Sequence, residues 1–198
     1  MSILPKEFYR GDPARVAVKL LGKLLVRVYR GKRLSGKIVE TEAYYGIEDP
    51  ASRARRGGNL ARMIYGDVGV ALIYGVHRQW LLNVVAHPSG KAGAVLIRAV
   101  EPVEGAETMK KLRRALELQL LTNGPGRLTR AMAIDKKLHG KPVYTTAHGL
   151  WIEDGEEVSE RQVAVSHRIG VTEDLPVPLR FYIKGNPFVS RKTPPARL

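Results

Sequence analysis

Two carboxylates stand two residues apart in KIVETEAYYG (37–46), Glu40 and Glu42, and two tyrosines, Tyr44 and Tyr45, follow them. The stretch begins with the β-branched and apolar pattern of a strand and ends at a glycine. In a strand alternate residues share a face. Glu40, Glu42 and Tyr44 therefore share one side, and Val39, Thr41 and Ala43 the other. Paired acids can move protons or stabilise developing positive charge. Such a face is poor core material, because a buried carboxylate is costly unless paired. It is either solvent-exposed, as on an edge strand, or it lines a polar pocket. Arg98 stands inside the apolar run VLIRAVEP (95–102), where a guanidinium needs an acidic or polar partner. Glu42 on a neighbouring strand is a reasonable one; a purely structural ion pair is the other reading. Asn83 in LLNVVAHP is set among hydrophobics, so its amide is satisfied at a turn or bulge, or used for recognition. Tyr74 in LIYG falls beside a glycine at the end of an apolar run.

Other chemistries are excluded. The chain has no cysteine, hence no disulfide, thiol nucleophile or thiolate metal site. The five histidines, at 77, 87, 139, 148 and 167, have no metal-ligand spacing.

These residues must be positioned by a mixed set of elements. Asp12 reads as the N-cap of a helix with Pro13 at its first position, an apolar stripe at Val16, Ala17, Leu20 and Leu21, and Gly22 at its end. KLLVRVY (23–29) and LSGKIVETEAY (34–44) read as a hairpin turning at RGKR. Residues 46–62 read as loop. VGVALIYGV (68–76) and GAVLIRAVEP (93–102) read as buried strands, 102–120 as a helix with a Glu107–Lys111 pair, and 125–134 as a short helix opened by Pro125. GLWIED (149–154) and LRFYIKG (179–185) complete the strands. With 198 residues, 44% of them hydrophobic, the expectation is one α+β domain over residues 1–198. Its sheet should be curved and mainly antiparallel, with helices flanking it.

Charge points to the partner. Thirty-three Lys and Arg against 19 Asp and Glu leave +14, spread along the chain without a basic tail. Such a surface attracts polyanions, nucleic acid first among them. No apolar run of membrane-spanning length is present and the N-terminus lacks a signal-peptide core. The expected location is the cytoplasm of a prokaryote, with the nucleoid, or a eukaryotic nucleus.

The motifs GKIVETEAYYGIEDPAS, LIYG followed by LNVV, VLIRAVEP, LTNGPGRLTRAMAI, RIGV and PLRFYIKGNPFVS occur in this order. Together the set resembles the alkyladenine (3-methyladenine) DNA glycosylase family of mammals and many bacteria, over residues 18 to 190. The resemblance implies a monomeric base-excision repair enzyme acting on double-stranded DNA that contains damaged purines. Such an enzyme flips alkylated or deaminated purines, of the 3-methyladenine or hypoxanthine type, out of the duplex. It hydrolyses the bond from base to sugar and leaves an abasic site. The resemblance also implies that no metal and no organic cofactor is needed, since water is the nucleophile. Glu42 matches the carboxylate that activates the water, Arg98 the arginine that helps to hold it, and Tyr44 the aromatic on which the base stacks. Tyr74 matches the DNA-intercalating tyrosine of a protruding hairpin, and Asn83 the residue that crowds the 2-amino group of guanine.

This chain departs from the family pattern at three places. Arg53 stands where a histidine is usual, at a position whose side chain packs on the base. Ala71 stands where an aromatic usually completes the base-binding sandwich, so that wall is missing or is supplied by Tyr65. Two additional residues lie between Gly75 and Asn83. Arg53 and Ala71 are the support for a competing reading, a non-catalytic DNA-binding homologue with an altered pocket; the intact set Glu42, Arg98, Tyr44 and Tyr74 argues against it and for the glycosylase. A translation-associated RNA binder has only the charge in its support.

Overall fold

The computed structural model describes residues 2–190. Helix α1, Pro13–Leu20, begins where the sequence places it: the Asp12 carboxylate accepts the amides of Ala14 at 3.0 Å and Arg15 at 3.2 Å. Val16, Ala17 and Leu20 are buried beneath it. The chain then reverses at Gly22, whose φ of 83° and close approach to the Glu156 carbonyl exclude a side chain. Strands β1 (Leu24–Tyr29) and β2 (Lys32–Tyr44) form the expected hairpin. Both turn residues, Arg30 and Gly31, have positive φ, as a two-residue turn between twisted strands requires.

Six further strands follow: β3 (Ala71–Val76), β4 (Gln79–Val85), β5 (Ala94–Glu104), β6 (Leu150–Glu153), β7 (Val163–Ser166) and β8 (Arg180–Ile183). All pairings are antiparallel, in one open sheet ordered β3-β4-β5-β2-β1-β6, with β8 on the far half of β2 and β7 on β8. This is the α+β, mainly antiparallel architecture expected. The thirteen-residue β2 is its spine, bordered by β1 over its first half and by β8 near its end.

The ladder between β2 and β5 is irregular at Val39–Thr41, opposite Arg98–Ala99. Below it, Ile38 and Val100 face the main core; above it, Ala43, Val95 and Ile97 do. Val39 and Ala99 go instead to a small cluster with Phe188. Bulges of this kind re-aim side chains next to functional sites. Here the switch turns Arg98 toward Glu40 and Glu42.

Several elements differ from the sequence expectation. The helix expected over 102–120 is α3, Ala106–Arg113. Residues 102–104 prolong β5, pairing with β2 at Gly36 and Ser35; the missing side chain of Gly36 leaves the space that Val100 fills. Arg114, at φ 52°, ends the helix, and Leu118–Leu120 is only a 3-10 turn. Glu107 pairs with Lys110 at 2.7 Å, not with Lys111. The next helix, α4, stops at Ala131 and spans Pro125–Ala131. Residues 46–62 are not all loop, since α2 covers Gly58–Ile64. Strands β4 and β7 have no counterpart in the sequence reading.

Candidate active site

One face of the sheet carries the main core, and α1 packs there; Thr41 donates from its hydroxyl to the Ala17 carbonyl at 2.9 Å. The opposite face carries the polar residues. Register aligns Tyr74 with Leu81, Asn83 with Leu96, Leu96 with Glu42 and Glu42 with Arg180. The alternation read from the sequence thus places Glu40, Glu42 and Tyr44 together, on a central strand and not on an edge. Both carboxylates have no solvent exposure.

Glu40 is an ionic hub. It accepts from Arg98 Nε at 3.1 Å, Arg180 Nε at 2.6 Å, the Ser190 amide at 2.7 Å and the Ser190 hydroxyl at 2.8 Å. All its acceptor positions are engaged. Glu42 is held differently. It accepts from the Tyr44 hydroxyl and from the Ile169 amide, each at 2.8 Å, and Arg98 Nη1 stands 3.3 Å away. Three contacts leave acceptor capacity on a carboxylate. Burial pushes the Glu42 carboxyl above the usual range, against the opposing pull of Arg98, the Ile169 amide and Tyr44. Arg98 therefore bridges one saturated acid and one that can still accept a proton.

A cavity of about 670 Å³ opens over this pair, walled by Tyr44, Arg98, Ile169, Tyr74 and Arg53, with Arg55, Arg56 and Arg127 also lining it. Its size suits one planar ligand. The Arg168 guanidinium covers one face of Tyr44 at 4.5 Å. Arg168 is itself clamped by Asp49 at 2.7 Å to each oxygen and by Asp174 at 2.7 Å. Asp49 also accepts the Tyr45 and Ala51 amides and so anchors the loop after β2.

The other expected residues divide. Asn83 is buried on the site face and donates to the Leu72 carbonyl at 3.1 Å. The β3–β4 hairpin ends at a His77–Arg78 turn and places Leu72 and Asn83 opposite each other. Arg53 is half-buried, with its guanidinium 4.7 Å from the Tyr74 ring centre. The expectation for Ala71 is overturned. An odd offset from Tyr74 puts Ala71 on the opposite face, in the main core, opposite Val84. Tyr65 does not replace it: half-exposed, it accepts the Ile47 amide through its hydroxyl at 3.2 Å. Tyr74 does not occupy the projecting end of the hairpin. Its ring lies inward, and burial pushes its phenol up while Arg53 and Asn83 act against that shift. Sequence reasoning missed Arg168, Arg180 and Ser190. Arg180, in the apolar run LRFYI, carries the same signal as Arg98; Ser190 carries none.

The site thus joins a buried acid and its arginine to an aromatic cavity on a strongly basic protein. The comparisons are specific. The family model for methylpurine-DNA glycosylase matches residues 7–187, and the chain belongs to that family. It is a DNA glycosylase, a DNA-repair hydrolase acting on N-glycosyl bonds. A protein of Aeropyrum pernix is 50% identical over 191 residues, covering 96% of this chain and 93% of the relative. One of Carboxydothermus hydrogenoformans is 44% identical, covering 96% and 100%. One of Gloeobacter violaceus is 42% identical, covering 93% and 85%. All three are provisionally named 3-methyladenine DNA glycosylase. No helix among the described residues is long and apolar enough to cross a membrane.

Proposed function

We propose that the protein removes single damaged purines of the 3-methyladenine and hypoxanthine type from duplex DNA by flipping the nucleotide into this cavity. Water then hydrolyses the glycosidic bond and leaves an abasic site. The observation that carries the reading is Glu42: a fully buried acid with unused acceptor capacity, beside Arg98 and behind an aromatic wall.

The steps follow from chemistry. A stacked base is out of reach, so extrusion comes first, at a cost of a few kcal/mol. The β3–β4 hairpin, whose Tyr74 and His77 line the cavity, fills the space the nucleotide vacates. The extruded ring stacks on the face of Tyr44 that Arg168 leaves open. Stacking on an aromatic contributes about 1–3 kcal/mol per base. Asn83 disfavours a purine with a 2-amino group. Arg98 and Glu42 hold a water; Glu42 accepts its proton as the bond to C1′ forms, and its charge stabilises the cationic sugar. Water is the nucleophile, so the enzyme is monofunctional and leaves the strand uncut.

The test is single-turnover release of hypoxanthine from a duplex by Glu42→Gln. Glutamine keeps the shape but cannot take the proton. The expected loss is about 10²–10⁴-fold, with duplex affinity retained. Wild-type activity should fall as pH drops through a Glu42 pKa lying above the usual carboxylate range. A variant within a few-fold of wild type would move the chemistry elsewhere.

A further inference from the structure

We propose that Arg53 and Tyr74 together form the second wall of the base pocket, and that this wall selects neutral purines carrying a 6-oxo group over cationic N-alkylated ones. The inference rests on the glycosylase reading above and assigns a substrate preference to the same site.

The first observation is placement. Strand alternation puts Tyr74 on the face of Asn83, Leu96 and Arg98, and the ring lines the cavity with Tyr44. The wall lost at Ala71 is thereby restored from a different position. The second observation is charge. Five guanidinium groups, those of Arg53, Arg55, Arg56, Arg98 and Arg127, line the cavity, and Arg168 and Arg180 lie beside it, against Tyr44 and Glu40. Arg98 and Arg180 are paired with Glu40, and Arg98 also with Glu42. Arg168 is paired with Asp49 and Asp174. Arg53 has no ion-pair partner among the described residues; its contact is the Tyr74 ring. Arg56 and Arg127 also line the cavity without an ion pair among the described residues, but of the unpaired cations only Arg53 stacks on an aromatic wall, so the uncompensated charge against that wall is positive.

A guanidinium offers five N–H donors and no acceptor. Its fork matches a purine edge that presents O6 and N7, the pairing by which arginine reads guanine in duplex DNA. Hypoxanthine presents that edge and is neutral. A 3-methyladenine nucleotide presents an amino group there, whose donors oppose those of Arg53, and the alkylated ring is cationic. Both mismatches act against it, and rejection by unpaired donors and like charge is a strong form of selectivity.

The experiment compares single-turnover release of hypoxanthine and of 3-methyladenine from otherwise identical duplexes, by wild type and by Arg53→Gln and Arg53→Met. Wild type should favour hypoxanthine by about tenfold or more, as expected for one charge at contact distance in a half-buried site. Both variants should lower that ratio at least several-fold, and Arg53→Met most, since it removes donors as well as charge. An unchanged ratio, or equal losses on both lesions, assigns Arg53 to phosphate binding or to scaffolding and overturns the selection. A wild-type preference for 3-methyladenine also overturns it. Release of neither base would instead overturn the glycosylase reading, and this inference with it.

Discussion

Glu40 and Glu42 are chemically identical, lie on one face and both touch Arg98, yet their surroundings give them different work. Glu40 faces two arginines and both donors of Ser190, and nothing of it is left for a substrate. Its contribution is structural: it fixes Arg98 in place and ties Ser190 to β2. Removing one partner from a buried ionic cluster leaves uncompensated charge and typically costs about 3–5 kcal/mol. Glu40→Gln should therefore lower the melting temperature sharply, whereas Glu42→Gln should leave it nearly unchanged. Thermal melts followed by circular dichroism decide this; equal, small shifts for both would show that the Glu40 cluster is not what holds the strand ends together. The sequence showed that two acids share a face, but not which is saturated. That depends on Arg180 and Ser190, 140 and 150 residues away, brought there by β8 and the turn beyond it.

At the scale of elements, alternation and capping signals were legible and interruptions were not. The β1–β2 hairpin, α1 and the buried strand β5 follow from turn residues, an Asp-Pro start and an apolar run. Helix α3 was over-read, because Arg114 in a left-handed conformation leaves no mark in a stretch rich in helix formers. Ala71 was misplaced because a family match by position carries no strand parity. The two hairpin turns offer a direct comparison. Arg30–Gly31 and His77–Arg78 both have positive φ at two positions, but only the first uses glycine. Keeping Arg78 at φ 62° costs about 1–2 kcal/mol. A cationic tip held at such a cost fits a contact with DNA. Replacing His77–Arg78 by Asn-Gly should raise stability by about 1 kcal/mol or more and slow release from duplex DNA several-fold. Release from single-stranded DNA, which leaves no stack to fill, should change little. Equal slowing on both substrates would contradict a role for the tip in opening the duplex.

For the whole molecule the governing quantity is charge. The chain carries a formal +14, and Arg55, Arg56 and Arg127 place part of it around the cavity mouth. The acids, by contrast, are drawn into pairs: Glu40, Glu42 and Asp49 are fully buried against arginines, leaving much of the exposed charge positive. A surface of this kind binds the phosphate backbone with little regard to sequence, and binding releases counterions. Each phosphate neutralised should contribute about −0.9 to the slope of log K against log salt. Duplex affinity should therefore fall steeply with salt, and to the same degree for undamaged DNA and for DNA with a lesion. On the proposed mechanism, the step that would distinguish them is insertion of the base between Tyr44 and Tyr74, inside the cavity, which would neutralise no further phosphate. Fluorescence anisotropy on both duplexes between low and physiological salt measures the two slopes. Parallel lines separated by a constant offset are expected, the offset being the free energy of base capture. Converging lines would mean that recognition of the lesion recruits additional phosphate contacts, so that capture and backbone binding are not separate steps.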